Sequence, residues 1–243
     1  MNTADLFEVE TAALARASEV LKTAGTAPHR HRAALAELIE HYERLMRQTQ
    51  RLIARSDRTE LELNAVNTKL QQLSAELDYK ARHDNLTGAL NRGAVFERAN
   101  HFLLKAPLAL IVLDIDFFKR INDEFGHPTG DAVIRELVAR LNETLNGIGE
   151  VGRVGGEEFT VLLPAMNLDQ AMQMAETVRQ AIAGEFFLCL PSRQVTASLG
   201  VSWSEKNGDF EIAYGYADAA LYRAKHRGRN CVMRAEALVR ETV

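Results

Sequence analysis

From His29 to Arg82 the chain contains neither glycine nor proline. Those two residues are the usual breakers of a helix, so this run reads as one continuous helix. The only break upstream is AGTAP, Ala24–Pro28, which separates it from a first helix of about Thr3 to Thr23. Steps of three and four from Leu35 land on Leu38, Tyr42, Leu45, Thr49, Leu52, Ser56, Thr59, Leu63, Val66, Leu70, Leu73 and Leu77. Such spacing keeps one stripe facing a partner helix along its whole length. Thr49, Ser56 and Thr59 interrupt the stripe, whereas Leu63 to Leu77 is clean and reads as a dimer seam. Between Leu35 and Leu52 the stripe is widened by Ile39, Met46 and Ile53, which equally fits a hairpin with the first helix. Both can hold at once, as a four-helix cluster below and a two-stranded stalk above.

The remaining chain is long enough for a separate domain. At 243 residues, 47% hydrophobic and 26% charged, the composition is that of a globular protein rather than a disordered one. A formal charge of −4 argues against a nucleic-acid partner. No run approaches the ~20 apolar residues of a membrane span. The start MNTADLFEVE lacks the basic and apolar parts of a signal peptide. Cys189 and Cys231 have no zinc-type or redox-type spacing and read as small apolar residues. A cytoplasmic location without membrane or nucleic-acid contact is expected.

Near residue 83 the pattern changes, giving expected domains 1–82 and 83–243. LALIVLDID (Leu108–Asp116) is strand-like, and DAVIRELVARLNETL (Asp131–Leu145) is an amphipathic helix. EVGRVGGEEFTVLLP (Glu150–Pro164) reads as two strands around a glycine pair. Then follow a helix (Leu168–Ala183), a strand (Gln194–Trp203), a helix (Ala213–Gly228) and a short strand (Asn230–Ala235). This order implies an α+β fold, a ferredoxin-like βαββαβ sheet with helices on one side, preceded by an all-α hairpin and coiled-coil stalk.

The acids lie at strand ends. Side chains alternate along Leu108–Leu113, so Asp114 falls where a buried strand ends, with Asp116 on the same face if the strand continues. A carboxylate there is costly unless it is paired, exposed or bound to a cation. The turn at Gly155–Gly156 presents Glu157 or Glu158 from a second strand, and alternation lets only one of them share Asp114's site directly. Hard oxygen ligands of this kind suit magnesium, the usual partner of substrate phosphates. Taken singly, the same acids also fit a wet strand end.

RVGGEEF (Arg153–Phe159) resembles the signature of GGDEF-domain diguanylate cyclases in its GGEEF form. Four other stretches match in order: DNLTGALNR (Asp84–Arg92), LDIDFFKRINDEFGHPTGD (Leu113–Asp131), TASLGVS (Thr196–Ser202) and ADAALYRAKHRGRN (Ala217–Asn230). The resemblance covers about Asp84 to Arg234. It implies a fold similar to a polymerase palm and the conversion of two GTP into cyclic di-GMP and two pyrophosphates. It further implies magnesium, two ions per half-site, with manganese as a substitute. Carried over residue by residue, Asp114 and the carbonyl of Ile115 hold metal, and Glu157 completes the site and acts as base. Glu158 is the second acid. Gly155 and Gly156 admit the nucleotide where a Cβ would clash. Phe117 and Phe118 offer backbone N–H groups to phosphate, and Lys119, Lys225 and Arg229 neutralise it.

Asn122 and Asp131 match the positions that read guanine, since a carboxylate accepts from both N1–H and the 2-amino group. Read locally, Asn122 is a turn residue and Asp131 a helix cap. His127 is placed near the ribose or base. Asp84, Thr87 and Gly88 form the junction between stalk and domain, with a hinge around Tyr79–Asp84.

One domain holds one GTP, so two must meet face to face, and a homodimer joined through the coiled coil raises their effective concentration. An activating protein partner on residues 1–60 is the expected input. The chain departs from the family pattern at the Arg-x-x-Asp product-inhibition window, where NGIG (Asn146–Gly149) stands instead. The resemblance then implies little feedback inhibition there. The alternatives are a catalytically inactive adaptor that binds GTP or cyclic di-GMP, and a coiled-coil adaptor with a passenger domain.

Overall fold

A computed structural model describes residues 8–23 and 27–236. The start of the first expected helix, at Thr3, lies outside these residues. Two helices come first, α1 (Glu8–Lys22) and α2 (Pro28–Arg82). A short strand β1 (Leu90–Asn91) leads into α3 (Arg92–Lys105) and the long strand β2 (Leu108–Ile115). Then come α4 (Phe118–Phe125), α5 (His127–Leu145), the hairpin β3 (Glu150–Arg153) and β4 (Glu158–Pro164), and α6 (Leu168–Ala183). The remainder is β5 (Ala197–Ser204), α7 (Phe210–His226) and β6 (Val232–Arg234).

The sheet order is β1-β3-β4-β2-β5-β6. Its four central strands pair antiparallel and have the ferredoxin-like order, while β1 and β6 add parallel edges. Every residue of β2 is buried, which follows from its position mid-sheet with both faces covered. Covered faces are the main correction to the sequence reading, which expected helices on one side only. Ala109, Ile111 and Leu113 pack with residues of α4, α5 and α6. Leu108, Leu110 and Val112 pack with Val95, Ala99 and Leu103 of α3 and with Phe210, Ala213, Ala217 and Leu221 of α7. The continuous apolar run of β2, not an alternating one, is the pattern such a strand needs.

The chain divides into two compact units, up to Ser74 and from Ala75 onward. In the first, Ala13 is buried and Arg16 pairs with Glu37 at 2.5 Å. Leu14, Leu38, Tyr42 and Leu45 line an apolar cleft between α1 and α2, as the hairpin reading expects. In the second unit, local contacts surround the expected hinge at Tyr79–Asp84. Asn91 Nδ2 donates to the Ala81 carbonyl at 2.7 Å while its Oδ1 accepts from Ala94 N–H and caps α3. His83 stacks on Tyr79 and bridges to Leu90.

Candidate active site

The site forms where β2 ends beside the β3–β4 turn and the C-terminus of α7. Asp114 lies directly across from Glu158 in the β2–β4 register, so the two side chains share a sheet face. Asp114 is buried, and its Oδ2 accepts from Lys225 Nζ of α7 at 2.9 Å. Burial pushes the Asp114 carboxyl up, Lys225 pulls it down, and Glu158 and Asp116 push it up again, leaving it raised. The Glu157 carboxyl is raised too, first by burial and then by the Asp114 charge.

Alternation puts one glutamate, Glu158, directly opposite Asp114, as expected. Glu158 is the first residue of β4, whereas Glu157 belongs to the turn before alternation begins. Its carbonyl accepts from the Ile115 N–H at 3.3 Å, fastening the turn to the end of β2. The Ile115 side chain is fully buried, so only its backbone faces the site.

Neither Gly155 nor Gly156 is among the positive-φ residues. A Cβ on Gly155 would lie 2.6 Å from Glu158 Oε2, whereas one on Gly156 would meet nothing within 4 Å. At Gly155 the missing side chain leaves room for the Glu158 acid, and at Gly156 it leaves open space.

Phe117 adopts a left-handed conformation, φ 58°, and its ring is 43% exposed. The guanidinium groups of Arg229 and Arg120 lie 4.3 and 4.7 Å from its centroid. Its N–H and those of Phe118 and Lys119 donate to no backbone carbonyl among the described residues. Phe118 is buried in the core, and Lys119 is exposed without an ion-pair partner among the described residues.

Asn122 lies on α4. Helix α5 begins at His127, earlier than expected, with Gly126 at the N-cap position. This puts Asp131 inside the helix rather than at its cap, because Pro128 in the first turn favours an early start. Neither Asn122 nor Asp131 hydrogen-bonds through its side chain to a described residue, and His127 is exposed.

Two groups escaped the sequence reading. Asp116 lies beyond the end of β2, buried, and accepts from Ser198 Oγ and Thr196 Oγ1 at 2.7 Å each and from Asn230 N–H at 3.0 Å. It pins the left-handed turn that carries Arg229. Arg153 donates to Asp84 at 3.0 Å and to the Gly156 carbonyl at 2.7 Å, tying the signature turn to the DNLT turn. Asp84 and Thr87 thus close a turn rather than cap a helix. A buried-strand end followed by a second aspartate was the only signal for Asp116; nothing local signalled Arg153.

The family model "Diguanylate cyclase, GGDEF domain" matches residues 81–231. The chain belongs to the GGDEF-domain family. Among curated GGDEF-domain relatives, the diguanylate cyclase DgcP of Pseudomonas aeruginosa is 38% identical over 80% of this chain and 29% of its own length. DgcM of Escherichia coli is 38% identical over 69% of this chain and 42% of its own length. This chain therefore spans less than half the length of these relatives. Among solved structures, the coiled coil and GGDEF domain of DgcB from Caulobacter crescentus, in complex with c-di-GMP, is similar. It has TM-score 0.64 and 27% identity over 72% of this chain and 98% of that one. Diguanylate cyclase SiaD of Pseudomonas aeruginosa, in complex with its activator SiaC, is similar with TM-score 0.61. It is 29% identical over 96% of this chain and 89% of that one.

The donor set fits a divalent cation. Two glutamates and an aspartate lie at this end of the sheet with a single paired lysine, and burial first, then neighbouring acids, raise Asp114 and Glu157. Among the described residues no group of three or more His, Cys, Asp or Glu side chains is arranged to hold a metal ion by itself, so these acids are an open set. An open set is what magnesium uses, since it takes one or two carboxylates and completes its shell with water and substrate phosphate. No described helix is long and apolar enough to cross a membrane.

Proposed function

We propose that this GGDEF-domain chain is a diguanylate cyclase, condensing two GTP into cyclic di-GMP across two catalytic domains of a homodimer. The observation that carries this reading is the set of acids at the β2 end, where Asp114 and Glu158 face each other and Glu157 adjoins them. Each ribose 3′-oxygen bonds to the α-phosphorus of the other GTP, and the bond from that phosphorus to pyrophosphate breaks. Glu157 takes the hydroxyl proton; its raised carboxyl is a better base than an ordinary one. Asp114, the Ile115 carbonyl, Glu157 and Glu158 would hold magnesium, two ions per half-site, with manganese as a substitute. Bound magnesium supplies Lewis-acid charge neutralisation to the phosphates.

Lys225, paired with Asp114 in the structure, would turn to the triphosphate where bound metal held that carboxylate. Lys119 and Arg229 add charge, and the free N–H groups of Phe117 and Phe118 cradle phosphate oxygens. Gly155 and Gly156 keep the floor of this cradle low. Asn122 and Asp131 read guanine, with His127 at the rim. The seam Leu63–Leu77 joins the two chains. An activating protein acts on residues 1–60; the similarity to SiaD takes in 96% of this chain, which supports an input at that end. The proposed compartment is the cytoplasm.

The test is incubation of the full chain with GTP and magnesium, followed by chromatography. Cyclic di-GMP and pyrophosphate are expected in a 1:2 ratio. Dimeric protein that yields none, with candidate activators included, contradicts the reading.

A further inference from the structure

Gly130 lies in α5, immediately before Asp131, and is buried. Its backbone is ordinary helix with no positive φ, so conformation does not demand glycine. Glycine in a helix interior costs about 1 kcal/mol relative to alanine. What it supplies is space. A Cβ there would lie 1.9 Å from Asn122 Oδ1, 3.0 Å from Asn122 Cγ and 3.1 Å from Phe118 Cζ. The carboxamide of Asn122 therefore occupies the volume that any other residue's side chain would fill. Asn122 makes no side-chain hydrogen bond to a described residue, so nothing else holds it there.

We infer that Gly130 is a positioning residue for base recognition: its missing side chain seats the Asn122 carboxamide against α5, beside Asp131. This rests on the proposed reading of Asn122 and Asp131 as guanine contacts. The pair comes from two different helices, and close approach of α4 and α5 at Gly130 puts the Asn122 carboxamide against the residue that precedes Asp131. Phe118, buried in the core below, gives way by a few tenths of an ångström when a methyl is added. Asn122 is the end of a flexible side chain and rotates away instead. Gly130→Ala therefore leaves the fold intact and disables the base contact.

The experiment is a double-mutant cycle on the full chain with Gly130→Ala, Asn122→Ala and the double variant. Affinity for the non-reacting analogue GTPαS is measured by calorimetry, together with KM and kcat for GTP and the melting temperature. Loss of one hydrogen bond to a buried partner predicts about a tenfold weaker Kd and higher KM for Gly130→Ala. The melting temperature stays within a few degrees and kcat at saturation is largely kept. Asn122→Ala shows a similar loss, and the double variant is no worse than Asn122→Ala alone. Unchanged GTP affinity in Gly130→Ala beside a weakened Asn122→Ala overturns the inference, as do losses that simply add. Tight GTPαS binding by wild type without product contradicts the cyclase reading but leaves this cycle decisive. Absence of GTPαS binding to wild type overturns both.

Discussion

The sheet domain and the long helix bury their apolar residues in different ways. All eight residues of β2 are buried within one chain, between α4, α5 and α6 on one face and α3 and α7 on the other. Helix α2 has 55 residues and none of them is buried. Leu63, Val66, Leu70 and Leu77 each remain more than half exposed. A domain whose core is complete folds alone, whereas a contiguous apolar stripe of this kind is half of an interface. The same contrast holds for charge. Asp114, Asp116 and Asp84 each have partners within the domain, while the ion pairs of α2 are exposed and worth little. Structure is therefore built into the domain, and the proposed function leaves assembly to the stalk.

The largest effect falls on the site. Glu157→Gln is expected to lower cyclic di-GMP formation by about 10²–10⁴-fold, the usual contribution of a general base. The same variant sharpens the stability side of the comparison. Burial and Asp114 raise the folded carboxyl, so that group favours folding below the ordinary glutamate range, and the benefit is lost as pH rises through the raised value. Metal-free Glu157→Gln should thus melt at least as high as wild type at neutral pH, with the gap closing near pH 4; a marked drop in melting temperature breaks the claim.

Next comes the seam. Leu70→Asp is expected to shift the chain to monomer in ultracentrifugation and to cut turnover at micromolar protein about a hundredfold, because millimolar effective concentration is lost. The melting of the sheet domain should not change. A dimer that survives this change places the interface elsewhere.

Asp116→Ala removes the acceptor for three donors around the Arg229 turn and should cost about 3 kcal/mol by denaturant titration. Asp84→Asn is smaller, about 1 kcal/mol at neutral pH. Burial alone would raise the Asp84 carboxyl, but hydrogen bonds from Thr87 and Arg153 outweigh it and hold it below the ordinary range. Its contribution is present above pH ~4 and lost as pH falls through the lowered value, so the variant and wild type should converge below the ordinary aspartate range. Smallest of all is the response to added cyclic di-GMP. Asn146–Gly149 offers no arginine or aspartate, and a change in initial rate under about twofold is expected.

Much of this was legible in the sequence. The helix from Pro28 to Arg82, the strand at Leu108 and the hairpin around Gly155–Gly156 follow from breaker residues and apolar runs. Helices on both faces were not inferred, although the unbroken apolar run of β2 carries that signal. The pairing of Arg153 with Asp84 joins residues far apart in the chain, and no local pattern reports such a contact. Asp131 was misplaced at a cap because its residue type favours caps, whereas Pro128 starts the helix earlier. The early start moves Asp131 about one turn into the helix. Glu158 is the glutamate opposite Asp114 because alternation within β4 sets that register, whereas Glu157 lies in the turn before it.

The most direct test is turnover per chain measured across protein concentration, with GTP and magnesium, alongside Glu157→Ala. The account predicts cyclic di-GMP formation with a constant specific rate while the dimer persists, a fall where ultracentrifugation shows dissociation, and no product from Glu157→Ala. A specific rate unaffected by dissociation, or equal product from Glu157→Ala, would contradict it.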